Sequence, residues 1–221
     1  MVVKIGDIPD AATVILWCHE CMGSIGSQLL DMAFGRPRGP LGRIGGRLMA
    51  RGNAVTEKSL VDLAKLTAAD TALVVGGGPG VGVHHAAQQA GHVIAVDPSE
   101  TMLATCRQRC GTLVDNGTVE LVEGDAAHTG QPDASVDVVF SVNNIMLWPD
   151  WDAGFAELHR VLRPEGRILV SVHNKWLPGG LPALAAAVAR AGFVDVQSWT
   201  WEPPGRRATT AAQLRARKLV R

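Results

Sequence analysis

The sequence lacks net charge, long apolar runs, a complete set of metal ligands and the standard phosphate loops. Its 221 residues hold 21 Lys and Arg against 21 Asp and Glu. That balance argues against a dedicated nucleic-acid binder, because such proteins show a basic face backed by a basic total. The longest apolar stretches, 11–18, 73–83 and 168–172, fall far short of the roughly 20 residues of a membrane-spanning helix, so no membrane partner is expected. Met1 to Asp10 carries Lys4 beside Asp7 and Asp10, with no long apolar run leading to a small-residue cleavage site. No signal peptide is read there, and the expected compartment is the cytoplasm. Cysteine occurs as two close pairs. Cys18 and Cys21 have the two-residue gap of a metal knuckle, but no second CxxC or HxxxH follows to complete four ligands. Cys106 and Cys110, four apart on a predicted helix, share one face. Both pairs read as structural thiols, and no metal is expected.

What is present is one glycine-rich globular domain of 23.3 kDa, with 47% hydrophobic residues and 25 Gly. Its charge is unevenly spread. Residues 32–56 hold Arg36, Arg38, Arg43, Arg47 and Arg51 and no acid, residues 203–221 hold six bases and no acid, and residues 57–202 hold nine bases against 17 acids. From Ala69 onward, short apolar runs alternate with helical stretches. The strand candidates are Thr71–Val75, His92–Val96, Val119–Val122, Val136–Val142, Arg167–Val172 and Phe193–Trp199. The helices between them are Val81–Ala90, Ser99–Arg109, Trp151–Leu162 and Leu181–Ala191. Strict alternation of this kind predicts βαβ units and a parallel sheet covered on both faces. Residues 1–68 read instead as a helical extension, with helical character over 11–34, 44–50 and 56–66 and a break at Gly35 to Pro40. The chain divides into an N-terminal lid, 1–68, and a core, 69–221.

The most informative stretch is Leu73-Val74-Val75-Gly76-Gly77-Gly78-Pro79-Gly80-Val81-Gly82-Val83. An apolar strand runs through a glycine cluster into a helix, so a ligand can approach the helix start closely. The dinucleotide fingerprint fails at its last glycine in every register, and no Lys between Lys65 and Lys175 completes a Walker loop. Gly76, Gly78 and Gly80 suit a ligand presenting a small carboxylate and ammonium. Asp97, after the second strand, is placed to accept both ribose hydroxyls, and Asp125, after the third, to accept from an exocyclic amine.

With these residues in place, the chain resembles the class I S-adenosylmethionine-dependent methyltransferases of the small-molecule branch. Val74–Val83, Val93–Leu103, Glu123–Ala126, Pro132–Val139, Ser141–Ile145, Trp148–Asp150 and Leu158–Arg167 carry the resemblance, across about residues 45–200. It implies an α/β, Rossmann-like fold: a seven-stranded, mostly parallel sheet of order 3-2-1-4-5-7-6 with its last strand reversed, helices on both faces and an N-terminal helical lid. Residues 209–217 would form that last strand. The cofactor implied is S-adenosyl-L-methionine. Gly76, Gly78 and Gly80 would pass its methionine portion, Asp97 would hold the ribose, and Pro98, Ser99 and Met102 would surround ribose and adenine. Gly124, Asp125 and Ala126 would line the adenine edge, and Asn143 would face the methionine amino end and the substrate. Residues 49–53 look like the family's segment leading into the cofactor pocket. The chain departs from the family at Val74, where an acid that helps fix the methionine ammonium usually stands.

The expected reaction is methyl transfer to an oxygen or nitrogen, with carbon as a further acceptor, of a small hydrophobic or aromatic metabolite of secondary metabolism. Proximity in a dry pocket supplies most of the rate. His128 is the candidate base or acceptor contact, with His84, Asn144 and His19 as other polar groups. Trp148, Trp151, Trp176, Trp199 and Trp201 are candidates for an aromatic wall, and Trp17, Met22, Leu29 and Met32 for an apolar lid. The alternative is a methyltransferase-like protein that binds the cofactor without methylating, and Val74 favours it. The basic ends would serve an RNA or protein substrate, but Asn143-Asn144-Ile145-Met146 replaces the Asn-Pro-Pro-Tyr/Phe loop of base methylation. The partner is a small molecule, and a homodimer is left open.

Overall fold

A computed structural model describes residues 53–204 and 209–219. Helix α1, described over 53–64, precedes β1 (Thr71–Val75), α2 (Val81–Ala86), β2 (His92–Asp97), α3 (Glu100–Asp115) and β3 (Val119–Glu123). Then follow β4 (Val136–Val142), α4 (Trp151–Val161), β5 (Leu162–His173), α5 (Gly180–Arg190), β6 (Phe193–Trp201) and β7 (Ala211–Lys218). The seven strands form one sheet in the order β3-β2-β1-β4-β5-β7-β6. All neighbours pair in parallel except β7, which runs antiparallel between β5 and β6. This is the expected Rossmann-like sheet. The expected lid up to residue 52, with His19, Cys18 and Cys21, lies outside the described residues.

The central strands are apolar on both faces because both faces are covered. Alternate residues of β1 and β4 enter opposite cores. Leu73, Val75 and Val139 join Phe155, Leu158, Leu184 and Val188 beneath α4 and α5. Ala72, Val74, Val138 and Phe140 meet Leu60, Val61 and Ala64 of α1 and Val83 and Ala86 of α2 on the other side. Buried Phe155, Leu158 and Val161 recur at helical spacing along α4, whose start is capped by the Asp150 carboxylate accepting from Ala153 N–H at 3.0 Å. The Ser99 hydroxyl does the same for α3 by accepting from Met102 N–H. Cys106 and Cys110 are buried and free on one face of α3, with their sulfurs 4.0 Å apart.

Three boundaries differ from the sequence reading by about four residues or more, and the others from β1 onward by at most two. Helix α2 stops at Ala86 instead of Ala90, because the chain closes at Gly91, where a Cβ would strike the Ala68 carbonyl. Helix α3 runs on to Asp115 with non-helical backbone at Gly111. Strand β5 begins at Leu162, since the segment through Glu165 (φ 64) and Gly166 keeps pairing with β4 across an irregularity.

Phe155 is fully buried at the centre of the first core. Phe155→Ala leaves a cavity there and lowers stability by about 3–5 kcal/mol, read from the shift in denaturation midpoint at unchanged slope.

Candidate cofactor and methyl-transfer site

The site opens where the strand order reverses, between β1 and β4, at their carboxyl ends. The chain leaves β1 through Gly76 (φ 69), Gly78 (φ 51) and Gly80 (φ 82). The Asn144 amide stands against Gly76. Its Nδ2 donates to Val75 O at 2.5 Å, its Oδ1 accepts from Ser141 Oγ at 2.5 Å and from Trp148 Nε1 at 3.1 Å, and a Cβ on residue 76 would coincide with it. Asn144 is thus committed to the frame and is not a free contact for an acceptor.

The donors of the glycine loop are also committed. Gly76 N–H and Gly77 N–H donate to Val96 O at 2.8 and 3.2 Å, Gly80 N–H donates to Gly77 O, and Gly78 N–H donates to Asp97 Oδ2 at 2.8 Å. Ser99 N–H holds the other carboxylate oxygen, Oδ1, at 2.9 Å. Asp97 is therefore a buried, fixed acceptor. Burial raises its carboxyl above the ordinary value, opposed by the two N–H donors. A loop with its N–H groups spent this way has few left to cradle a phosphate.

A pocket of about 420 Å³ extends from this loop. It takes in Gly76, Gly78, Asp97, Pro98, Met102, Asp125, Ala126, Asn143 and His128 from the expected set, and brings them together. Three expected residues stay behind its wall. Gly80 abuts Cys106, with a Cβ there only 2.6 Å from the sulfur. Ser99 caps α3, and Gly124 allows its turn to pass the His128 carbonyl. Asp125 Oδ1 accepts from Ala127 N–H and His128 N–H, and the exposed His128 ring sits 3.2 Å from it on the rim. Asn143, at φ 53, donates from Nδ2 to Asn53 Oδ1 and accepts at Oδ1 from His173 N–H, tying α1 to β5. Of the five tryptophans expected as a wall, Trp148 alone lines the pocket. Trp151 and Trp199 spend their indole N–H groups on Ile145 O and Gln213 Oε1, and His84 is exposed on α2.

Among the lining residues that were not anticipated, Glu57 stands out by its charge. Glu57 of α1 places Oε2 2.5 Å from Gly82 N–H, at the start of α2. Burial pushes its carboxyl up to about 7, against the Gly82 N–H and the Arg109 guanidinium, both of which favour the charged form. Its one signal in the chain is an acid placed immediately after the acid-free basic stretch 32–56. The charged residues lining the pocket are thus Glu57, Asp97, Asp125 and Asp150, with no Lys or Arg among the described residues. Acceptors on an apolar wall fit a ligand rich in donors and positive charge: ribose hydroxyls, an exocyclic amine, an ammonium and a sulfonium.

Fold and pocket position are those expected of the class I S-adenosylmethionine-dependent methyltransferases. Residues 73–170 match the methyltransferase domain family. The chain is similar to an uncharacterized methyltransferase, YdaC, of Bacillus subtilis, with 29% identity over 134 residues, 60% of this chain and 72% of that one. It is 37% identical over 149 residues to a probable S-adenosylmethionine-dependent methyltransferase, Rv3030, of Mycobacterium tuberculosis, covering 60% of this chain and 51% of the relative. The chain thus spans about half the length of that relative. A solved S-adenosylmethionine-dependent methyltransferase from Aquifex aeolicus shares the fold at TM-score 0.64 and 16% identity, over 77% of this chain and 93% of that one. These findings support a class I S-adenosylmethionine-dependent methyltransferase with S-adenosylmethionine as its cofactor. No helix among the described residues is long and apolar enough to cross a membrane.

The raised Glu57 carboxyl makes stability depend on pH. The folded chain holds that proton more tightly than the unfolded chain, whose value is 4.5. The resulting stability is present in full below about 4.5 and is lost as pH rises through about 7. The burial-raised Asp97 carboxyl acts in the same direction, so the comparison that isolates Glu57 is with Glu57→Gln. The variant gains on the ligand-free wild type by on the order of 2 kcal/mol between pH 4.5 and 8 in denaturant titrations.

Proposed function

We propose that this protein transfers the methyl group of S-adenosylmethionine to an oxygen or nitrogen, or alternatively a carbon, of a small apolar or aromatic metabolite. The observation that carries this is the pocket's apolar reach. From the glycine loop it runs past Phe140 and Val142 to Trp148 and Leu147, and Leu147 is held 52% exposed on the short turn Ile145–Leu147. An exposed leucine at a pocket mouth costs little alone and is well matched to an apolar ligand.

S-adenosylmethionine, when bound, supplies a methyl group on a sulfonium, an electrophile with a good leaving group. The chain's residues bind and orient. Asp97, fixed by Gly78 and Ser99, accepts from the ribose hydroxyls; Asp125 and Ala126 flank the adenine edge; Gly76 and Gly78 leave room for the methionine portion. The apolar walls exclude water from the acceptor's approach, so in-line geometry does most of the work. His128 is the imidazole on the lining, with Nδ1 turned to Asp125 Oδ1, so a proton taken from an acceptor would arrive at Nε2. The division into residues 1–68 and a core, 69–221, is part of the proposal, and α1, described from residue 53, packs on the sheet.

Incubation with methyl-labelled cofactor and a panel of apolar phenols and amines yields methylated product. Cofactor binding with no transfer to any acceptor favours the second reading, a methyltransferase-like protein that does not methylate, for which the apolar Val74 speaks. Leu147→Asp raises the acceptor KM about tenfold and leaves affinity for S-adenosylhomocysteine within about twofold. Asp97→Ala weakens that affinity by at least roughly tenfold in calorimetry, and an unchanged value removes the ribose role. His128→Ala alters turnover and its pH profile; an identical profile removes the base.

A further inference from the structure

Glu57 is a carboxylate with more acceptor capacity than its structural bond uses. It comes from α1, outside the strand-and-loop elements that supply the other acids, and it enters the pocket at the start of α2. Only one of its oxygens is used: Oε2 accepts from Gly82 N–H, and among the described residues Oε1 carries no hydrogen bond. Its approach depends on a missing side chain, since a Cβ at Gly82 would lie 3.0 Å from Oε2. The other acids are differently placed. Both Asp97 oxygens hold backbone N–H groups, and Asp125 is exposed and caps its own turn. On the side of the sheet where α1 packs, β1 offers the apolar Val74, which lines the same pocket and packs in one cluster with Val61, one turn beyond Glu57. A partly desolvated carboxylate with a free oxygen, facing an apolar strand end, is placed to receive a cation.

We propose that Glu57 supplies the carboxylate that receives the ammonium of the cofactor's amino-acid portion, delivered from α1 in place of an acid at position 74. The proposal rests on the cofactor pocket described above and deepens it. It makes helix α1 part of the binding site, so cofactor occupancy and the docking of α1 on the sheet support each other through Glu57 and through the Asn53–Asn143 bond. The charged or titratable groups that share this region with Glu57 are Arg109 of α3, whose Nε donates to Pro79 O, Lys58, next to it in sequence, and Asp97, Asp125, Asp150 and His128 on the pocket lining. An ammonium arriving among these groups favours ionised Glu57, so binding near neutral pH releases a proton.

The test uses two ligands that differ in the ammonium. S-adenosylhomocysteine carries the amino-acid portion; 5′-methylthioadenosine keeps adenine, ribose and sulfur and lacks it. In calorimetric titrations of the full chain, Glu57→Gln, which keeps a carbonyl acceptor for Gly82 N–H, loses roughly tenfold to a hundredfold in affinity for the first ligand and stays within about twofold for the second. Wild-type protein, titrated at pH 7 in buffers of different ionisation enthalpy, releases protons on binding S-adenosylhomocysteine and none on binding 5′-methylthioadenosine. This second measurement needs no variant. Equal losses on both ligands, no loss on either, or equal proton release for both overturns the role of Glu57 and leaves the cofactor site standing. Failure of wild-type protein to bind either ligand overturns the cofactor site itself.

Discussion

The Asn144 amide, hydrogen-bonded to Val75 O in the space that a side chain at Gly76 would need, is the contact on which the rest of the site depends. It fastens the exit of β4 to the exit of β1 where the paired strands part, just beyond the Val75 and Ser141 register. From there the glycine loop turns to α2 on one face, and the segment after β4 turns to α4 on the other. The crevice between the two departures is the pocket. Ser141 and Trp148 complete the bonds of the same amide, so the turn Ile145–Leu147, which carries the pocket's apolar mouth, is set by it as well.

Around this crevice the chain spends its backbone donors on itself and offers carboxylates outward. Val96 O takes two N–H groups of the glycine loop and Asp97 takes a third, which also holds β2 against the loop. The acidic middle of a chain with no net charge is concentrated, at this point, on a ligand site. A phosphate would find few donors and four repelling carboxylates, while a sulfonium and an ammonium find partners. The same economy explains why the phosphate-loop fingerprints fail in the sequence.

Much of the fold was legible because each central strand is a short apolar run bounded by glycine or a turn. Thr71–Val75 and Val136–Val142 occupy the stretches read from the sequence. Ends were less legible where tertiary contact decided them: Gly91 must close on Ala68, which no local pattern announces, and the bend at Glu165 and Gly166 stays in the sheet through pairing with β4. In the site, residues that follow strands were read by position, and Asp97, Asp125 and Asn143 do meet in one pocket. Gly80 and Ser99 follow strands too, yet serve helix α3 from behind the wall. Asn144 looked like a free polar group because the partner that fixes it against the glycine loop, Val75 O, lies 69 residues away in sequence, and the role of Glu57 was hard to read because its partner, Gly82, lies 25 residues on across an unread helix packing. Spacing reveals what a strand end presents; it does not reveal which side chain another element lends.

An acceptor-rich pocket at the β1–β4 parting is built to favour a cationic adenosyl ligand over a phosphate-bearing one. Equilibrium titration of the wild-type chain with S-adenosylmethionine in parallel with NAD tests this most directly. The expected result is saturable one-to-one binding of S-adenosylmethionine and none of NAD over the same range. Saturable binding of NAD, or no binding of S-adenosylmethionine, would contradict it.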